Sequence, residues 1–198
     1  MKPHIILDVA CGTGQGIKHI IKRVNWPVTV IMADLSHRIL KWDRIFYSDE
    51  WKNPYVDMIY LACDCANLPL IDECIDVVWS NGGFESMQAK MMDGFKEGNR
   101  VLKINGSAVY SIAVVDDQES ENTKKWKKLF LNLDESYNVL EGKIQDIKQW
   151  LEICKQYGYN KNETIKIYGE LPAPDTDVFP FENEILQWMA NYVVVSQK

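Results

Sequence analysis

Short apolar runs alternate with longer segments of mixed polarity over the first 115 residues of the chain. The apolar runs predict strands at residues 5–9, 28–32, 58–62, 75–79 and 107–115. Helical segments are predicted between them, at 17–24, around Ile39, Leu40, Trp42 and Ile45, and at 87–101. This alternation is typical of a mostly parallel sheet with crossover helices, and the nearly continuous apolar strands indicate helices on both faces. The predicted fold class is therefore α/β.

The last third of the chain has a less regular pattern. Helices are predicted at 123–133 and 144–157, the second closed by Gly158 as a C-cap, after an acidic loop at 116–122. Strands are predicted at 164–168 and 191–197, and Pro172, Pro174 and Pro180 mark an irregular connection between them. The sequence has no internal repeat or low-complexity linker, and 198 residues are most simply one domain spanning 1–198.

The segment from Leu7 to Gly16 reads L-D-V-A-C-G-T-G-Q-G, a predicted strand that runs into a glycine-rich turn and then a helix. Such glycines let a backbone approach a ligand where a Cβ would clash. Their spacing differs from the G-x-G-x-x-G of dinucleotide sites, and an acid, Asp8, precedes Gly12 by four residues. From these residues alone, the turn could bind another nucleotide or no nucleotide at all.

Residues Asp8 to Gly14, D-V-A-C-G-T-G, resemble the first motif of the class I S-adenosylmethionine (SAM)-dependent methyltransferases. The resemblance implies a Rossmann-like, seven-stranded, mostly parallel sheet with helices on both faces and an antiparallel last strand. It implies SAM as the cofactor, with 1–115 as the cofactor-binding half and 116–198 as an insert followed by C-terminal strands. Asp8, Ala10, Gly12 and Gly14 are then cofactor-binding residues.

Polar residues also follow the next predicted strands. Asp34 closes the second strand, where a carboxylate can accept both hydroxyls of a ribose, and Leu35 after it is also predicted to bind the cofactor. In the resemblance, Asp64 at the end of the third strand binds the adenine amino group, and the backbone of Cys65 meets the ring. Asn81 follows the fourth strand and would lie under the sulfonium and its methyl group.

A lone Asp after a strand is also a common cap or turn residue, so none of these acids is specific by itself. Their joint occurrence at consecutive strand ends, where open α/β sheets bind ligands, favours a binding site. Two further runs support the resemblance. Residues 68–78 (L-P-L-I-D-E-C-I-D-V-V) resemble the family's L-P-F-x-D-x-x-F-D-V-V, and residues 100–106 (R-V-L-K-I-N-G) resemble R-V-L-K-P-G-G. Ile104 and Asn105 depart from the second pattern, but Asn suits a turn with positive φ.

The acceptor site is less specified by the sequence. Glu85 is the candidate catalytic residue, as a polar contact to the acceptor or a base, although an acid at a helix start is also favoured by the helix dipole alone. Family members usually carry one or two helices before the first strand, and here the strand begins almost at once. We expect the SAM site to be covered by the 116–142 insert, by the 171–181 loop or by the second subunit of a homodimer. The alternatives are an open site or a chain that is a fragment.

The composition of the chain limits the kinds of molecule that it is expected to bind. A net charge of −6 and a pI near 5.1 argue against a nucleic-acid surface and favour a small-molecule acceptor. Five cysteines show no disulfide-framework spacing, and no leader or membrane-length apolar run is present, so we expect a cytoplasmic protein that is not membrane-bound. Cys63, Cys65 and Cys74 lack a nearby histidine, and no metal site is expected.

Two functions of different kinds remain. The first is a SAM-dependent methyltransferase for a small molecule, with no N-P-P-Y motif after the fourth strand to indicate a nucleic-acid or glutamine acceptor. The second is a non-catalytic domain that keeps a vestigial SAM site and binds a partner. A nicotinamide-dependent oxidoreductase is disfavoured by the glycine spacing.

Overall fold

The computed structural model of the chain describes residues 2–47, 52–114, 147–167, 170–171, 186–187 and 190–198. Its strands are β1 (Ile5–Val9), β2 (Val28–Asp34), β3 (Val56–Ala62), β4 (Ile75–Ser80), β5 (Leu102–Val114), β6 (Lys161–Ile167), β7 (Glu170–Leu171), β8 (Leu186–Gln187) and β9 (Ala190–Gln197). Its helices are α1 (Gln15–Ile21), α2 (His37–Trp42), α3 (Gly83–Ser86), α4 (Met91–Val101) and α5 (Ile147–Gln156). A π-helix (Asp43–Tyr47) continues α2, and a 3-10 helix (Gln88–Lys90) precedes α4.

Seven strands form one sheet in the order β3-β2-β1-β4-β5-β9-β6. The first five are parallel, whereas β9 runs antiparallel to both of its neighbours, so β6 has the same direction as β5. This arrangement confirms the predicted mostly parallel sheet with an antiparallel last strand. Strands β7 and β8 pair with each other in a separate small sheet.

The sheet has a hydrophobic core on each face, because neighbouring residues of a strand point to opposite sides. On β1, Ile6 joins the core under α1 and α2, while Leu7 and Val9 join the core under α4 and α5. The second core is centred on Phe95, which is fully buried and lies within 5.5 Å, between ring centroids, of four aromatic side chains. The prediction that helices cover both faces is confirmed.

Several boundaries of the helices and strands differ from those predicted from the sequence. Strand β1 has the predicted bounds, but α1 starts at Gln15 and ends at Ile21 rather than spanning 17–24, and the helix predicted at 87–101 is divided into a 3-10 turn and α4. The predicted turn before the fifth strand lies inside β5 instead. The pairing with β4 passes from Ile75 opposite Leu102 to Val77 opposite Ser107, so residues 103–106 form a bulge. Asn105 adopts a φ of 66° in this bulge, as expected for a positive-φ position.

In the C-terminal part, the helix predicted at 144–157 is described from Ile147 to Gln156, and Gly158 follows it with a φ of 89°. The last two predicted strands are present as β6, which begins three residues earlier than predicted, and β9, which begins one residue earlier. The acidic loop at 116–122, the helix at 123–133 and the three prolines lie outside the described residues. In the part of the chain that the structure describes, no helix is long and apolar enough to span a bilayer.

Candidate functional site

A pocket of about 320 Å³ opens at the carboxyl ends of β1 and β4. The end of β1 and the loop after it form one wall, and the turn from β4 into α3 forms the other. The lining residues are Asp8, Ala10, Cys11, Gly12, Thr13, Gln15, Gly16, Asn81, Gly82, Gly83 and Ser86. The glycine-rich motif and the residues after β4, which lie about 70 positions apart in the sequence, therefore share one cavity.

The glycine-rich loop depends on three backbone positions with positive φ. Ala10, Gly12 and Gly14 have φ values of 50°, 54° and 65°. Gly14 is also constrained by packing, since a Cβ there would collide with the methyl group of Met32, a fully buried core residue. The loop is closed by a hydrogen bond of 2.8 Å from the Gly14 amide to the carbonyl of Cys11, and α1 begins immediately after it.

Asp34 connects the end of β2 to this loop. Its Oδ2 accepts a 2.8 Å hydrogen bond from the amide of Gly12, and its Oδ1 accepts another of 2.8 Å from the amide of Ser36. The carboxylate is thereby fixed beside the pocket, and each of its oxygens keeps a lone pair for a further donor. Leu35 follows it with 77% of its surface exposed.

Asp64 and Cys65 lie after β3, beside the same loop. Asp64 accepts from the amide of Ala66 at 2.9 Å and pairs with the ammonium of Lys90 at 2.6 Å, and these contacts, Lys90 first, hold its pKa below the ordinary value. Cys65 is buried, and its sulfur accepts a hydrogen bond of 3.4 Å from the amide of Ala10. The turn after β3 therefore contacts the glycine-rich loop through the hydrogen bond between Cys65 and Ala10, which the sequence did not indicate.

Asp8 is a buried carboxyl group at the wall of the pocket, with 3% of its surface exposed. Burial, and then the negative charges of Asp34 and Asp43, raise its pKa well above the ordinary value. Removing a carboxylate from water favours its neutral form, so burial at the wall of the pocket favours protonated Asp8.

The opposite wall contains Asn81, which lines the pocket, and Gly82. Ser111 of β5 joins both: its hydroxyl accepts a 2.7 Å hydrogen bond from the Gly82 amide and donates one of 3.2 Å to Oδ1 of Asn81. Sequence reasoning missed Ser111, although a serine within the apolar run of a central strand was a usable signal.

A buried ion pair supports the loop from the α1 side. Lys18 and Asp43 are each about 1% exposed and are paired through Nζ and Oδ1. The same ammonium donates a 2.6 Å hydrogen bond to the carbonyl of Thr13 in the glycine-rich loop. This brace was also missed, although a lysine at a position of α1 that faces the core, between Ile17 and Ile21, was its signal.

The remaining predicted positions are partly described. Glu85 lies in α3, directly before the pocket residue Ser86, but its side chain is outside the described part of the chain. The 116–142 insert and the 171–181 loop, expected as covers, are also outside it, except for Leu171 in β7. Among the described residues, no group of three or more His, Cys, Asp or Glu is placed to hold a metal ion.

Comparisons with known proteins agree with this geometry. A family model described as "Methyltransferase domain" matches residues 7–110. The chain is 29% identical over 103 residues to a ubiquinone/menaquinone biosynthesis C-methyltransferase, UbiE, of Xylella fastidiosa M23 (52% of this chain, 40% of the relative). It is 27% identical over 121 residues to a malonyl-[acyl-carrier protein] O-methyltransferase of Nitrosospira multiformis (55% and 38%). These matches span about two fifths of each relative's length.

The fold is similar to solved structures over its full length. A SAM-dependent methyltransferase from Methanosarcina mazei superposes with a TM-score of 0.72 at 13% sequence identity, covering 100% of this chain and 93% of that one. At this identity the likeness concerns the fold alone.

Proposed function

Because the chain belongs to the methyltransferase domain family, whose members use S-adenosylmethionine, we propose that it transfers a methyl group from SAM to a small-molecule acceptor. One observation carries the proposal. Asp34 at the end of β2 is hydrogen-bonded to Gly12, so an acceptor carboxylate stands beside a pocket built from the glycine-rich loop. A cofactor with a ribose diol next to a polar, cationic chain requires such a combination.

The acidic residues fit the nucleoside portion of SAM. Asp34 is fixed by two backbone amides and retains acceptor capacity for the two ribose hydroxyls. Asp64 is the acceptor for the adenine amino group, with the backbone of Cys65 and Ala66 against the ring. The exposed Leu35 supplies an apolar surface beside the nucleoside.

The pocket itself fits the amino-acid portion. When bound, SAM supplies a methyl group that is already activated by a positively charged sulfur, so the protein mainly has to hold and align the reactants. Asp8 gives the cavity a buried carboxyl group, whose charged form a bound cationic group would favour. Asn81 and the turn after β4 form the wall on which that part rests.

A small-molecule acceptor is supported by the acidic charge of the chain and by its relatives. A net charge of −6 does not suit a polyanion, and one relative is named for a quinone biosynthesis step, the other for malonyl on a carrier protein. Glu85, next to the pocket residue Ser86, is our candidate for contact with the acceptor. A single domain over 1–198, a cytoplasmic location, a homodimer and the absence of nucleic-acid partners stay predictions.

The test is turnover of SAM. The purified chain is incubated with methyl-labelled SAM and a panel of small phenols, carboxylates and amines, and then with the low-molecular-weight fraction of a cell extract. We expect label in a small product and release of S-adenosylhomocysteine, both reduced in Asp34→Ala at SAM concentrations below saturation. SAM that binds tightly but is never turned over with any acceptor would favour the non-catalytic alternative.

A further inference from the structure

The turn after β4 contains a side-chain amide whose orientation is fixed by a residue from another strand. Ser111 lies on β5, and its hydroxyl accepts a hydrogen bond from the amide of Gly82 at 2.7 Å. A hydroxyl has one proton to donate, and this proton is directed to Oδ1 of Asn81 at 3.2 Å. The carbonyl end of the Asn81 amide is therefore committed to β5.

With its carbonyl committed, the Asn81 amide presents its NH₂ group to the other side. That side is occupied by Gly16 of α1, which lines the pocket together with Asn81: a Cβ built on Gly16 would lie 3.0 Å from Nδ2 of Asn81 and 3.3 Å from its Cγ. Asn81 is an exposed residue, and no described group accepts a hydrogen bond from its Nδ2. The glycine at position 16 leaves the room that this NH₂ group occupies.

We propose that Ser111 is a positioning residue that holds the Asn81 amide so that its NH₂ group binds the carboxylate of the methionine portion of SAM. An amide in the opposite orientation would place an oxygen there and repel that carboxylate. The amide thus selects ligands that carry the carboxylate. This inference rests on the proposed function, since it concerns one end of the cofactor in the same pocket.

The probes are SAM and decarboxylated SAM, which differ only in that carboxylate, and the readout is the ratio of their dissociation constants by titration calorimetry. The native chain should prefer SAM by roughly tenfold or more, as expected for a hydrogen bond to a charged group. Asn81→Asp places a negative group at the same position and should abolish or reverse the preference. An unchanged ratio in Asn81→Asp would overturn the carboxylate assignment.

The role of Ser111 is tested by a double-mutant cycle with a conservative rescue. Ser111→Ala should reduce the preference for SAM several-fold, and Ser111→Thr, which keeps the hydroxyl, should retain it. In the Asn81→Ala background, Ser111→Ala should have no further effect on the ratio, because the residue acts through Asn81. Equal effects of Ser111→Ala with and without Asn81 would refute the positioning role.

The proposed function and the role of Asn81 and Ser111 are distinguished by different results. If the native chain binds neither SAM nor decarboxylated SAM, the proposed function fails, and this inference with it. If it binds both with equal affinity, the proposed function stands and the inference alone is overturned. Thermal unfolding of each variant shows whether it is folded. If Ser111→Ala is not folded, Ser111→Cys, which replaces the hydroxyl by a weak donor, takes its place in the cycle.

Discussion

Asp34 and Gly12, which are 22 positions apart in the sequence, are joined by a hydrogen bond of 2.8 Å from the Gly12 amide to the carboxylate. The bond links the end of β2 to the glycine-rich loop after β1. One carboxylate therefore has two functions, since it stabilises the loop and faces the position proposed for the ribose. Changes at Asp34 should affect both.

Replacing Asp34 by alanine should weaken SAM binding roughly tenfold or more, because hydrogen bonds to a charged group contribute about 1.5–3 kcal/mol. Titration calorimetry with S-adenosylhomocysteine measures the change. Asp57→Ala is the matched control, since Asp57 is an exposed carboxylate on β3, near the opposite end of the sheet. Equal affinity of Asp34→Ala and the native chain would show that the ribose is not bound there.

Gly12 and Gly14 provide a second contrast within the same loop. Both have positive φ, so alanine costs about 1 kcal/mol of backbone strain at either position. At Gly14 the added Cβ also collides with Met32, whereas no atom lies within 4 Å at Gly12. We expect Gly14→Ala to lower the free energy of unfolding more than Gly12→Ala does, because the terminal methyl group of the buried Met32 has to move.

Urea unfolding compares the two variants. Because the space above Gly12 is open to the pocket, Gly12→Ala should weaken S-adenosylhomocysteine binding more than its small loss of stability explains. A Gly12→Ala variant that is as unstable as Gly14→Ala would contradict the packing described around Met32.

Because Lys18 and Asp43 form a buried ion pair, the free energy of unfolding should depend strongly on both residues. Lys18→Met leaves the Asp43 carboxylate buried without its counter-ion, which should cost about 3–5 kcal/mol of stability. In the double variant Lys18→Met/Asp43→Leu no charge remains, and most of the loss should be recovered. Urea unfolding of the two single variants and the double variant gives the coupling, and additive losses would exclude an ion pair that stabilises the loop.

Asp8 predicts a pH dependence of stability. Its pKa in the folded chain lies above the ordinary value of 3.8, mainly through burial, so the folded state holds a proton that the unfolded state has released. The free energy of unfolding should therefore fall as the pH rises above about 4, until the folded pKa is passed. Asp8→Asn, which has no such proton, should gain stability relative to the native chain over this range.

Denaturant unfolding of both proteins at several pH values measures the difference. The control is Asp57→Asn, in which an exposed carboxylate is removed from β3. If the gain from Asp8→Asn is the same at every pH, Asp8 does not titrate in the folded chain as its burial requires.

Most of the fold could be predicted because its signals are local. The apolar run of β1 and the glycines after it specify a strand and a turn without reference to the rest of the chain. The exact ends of the helices and strands were harder to predict. Gly14 adopts the left-handed conformation as the N-cap of α1, so the helix begins at Gln15, which is polar and carries no hydrophobic signal. The bulge at Asn105 depends on pairing with β4, which no local pattern specifies.

The candidate site divides in the same way. Residues at strand ends, such as Asp8, Asp34 and Asn81, could be found from their position in the sequence. Lys18 and Ser111 are harder to find, because a lysine on the core-facing side of α1 or a serine within an apolar strand indicates a buried polar group but not its partner. Buried polar partners of this kind become visible only when the packed structure brings them together.

The central claim, that the pocket beside Asp34 binds S-adenosylmethionine, is tested most directly by calorimetric titration of the chain with SAM, S-adenosylhomocysteine and NADH. We expect micromolar binding of SAM and S-adenosylhomocysteine, no binding of NADH, and a loss of roughly tenfold or more in affinity in Asp34→Ala. A folded chain that binds neither SAM nor S-adenosylhomocysteine would contradict it.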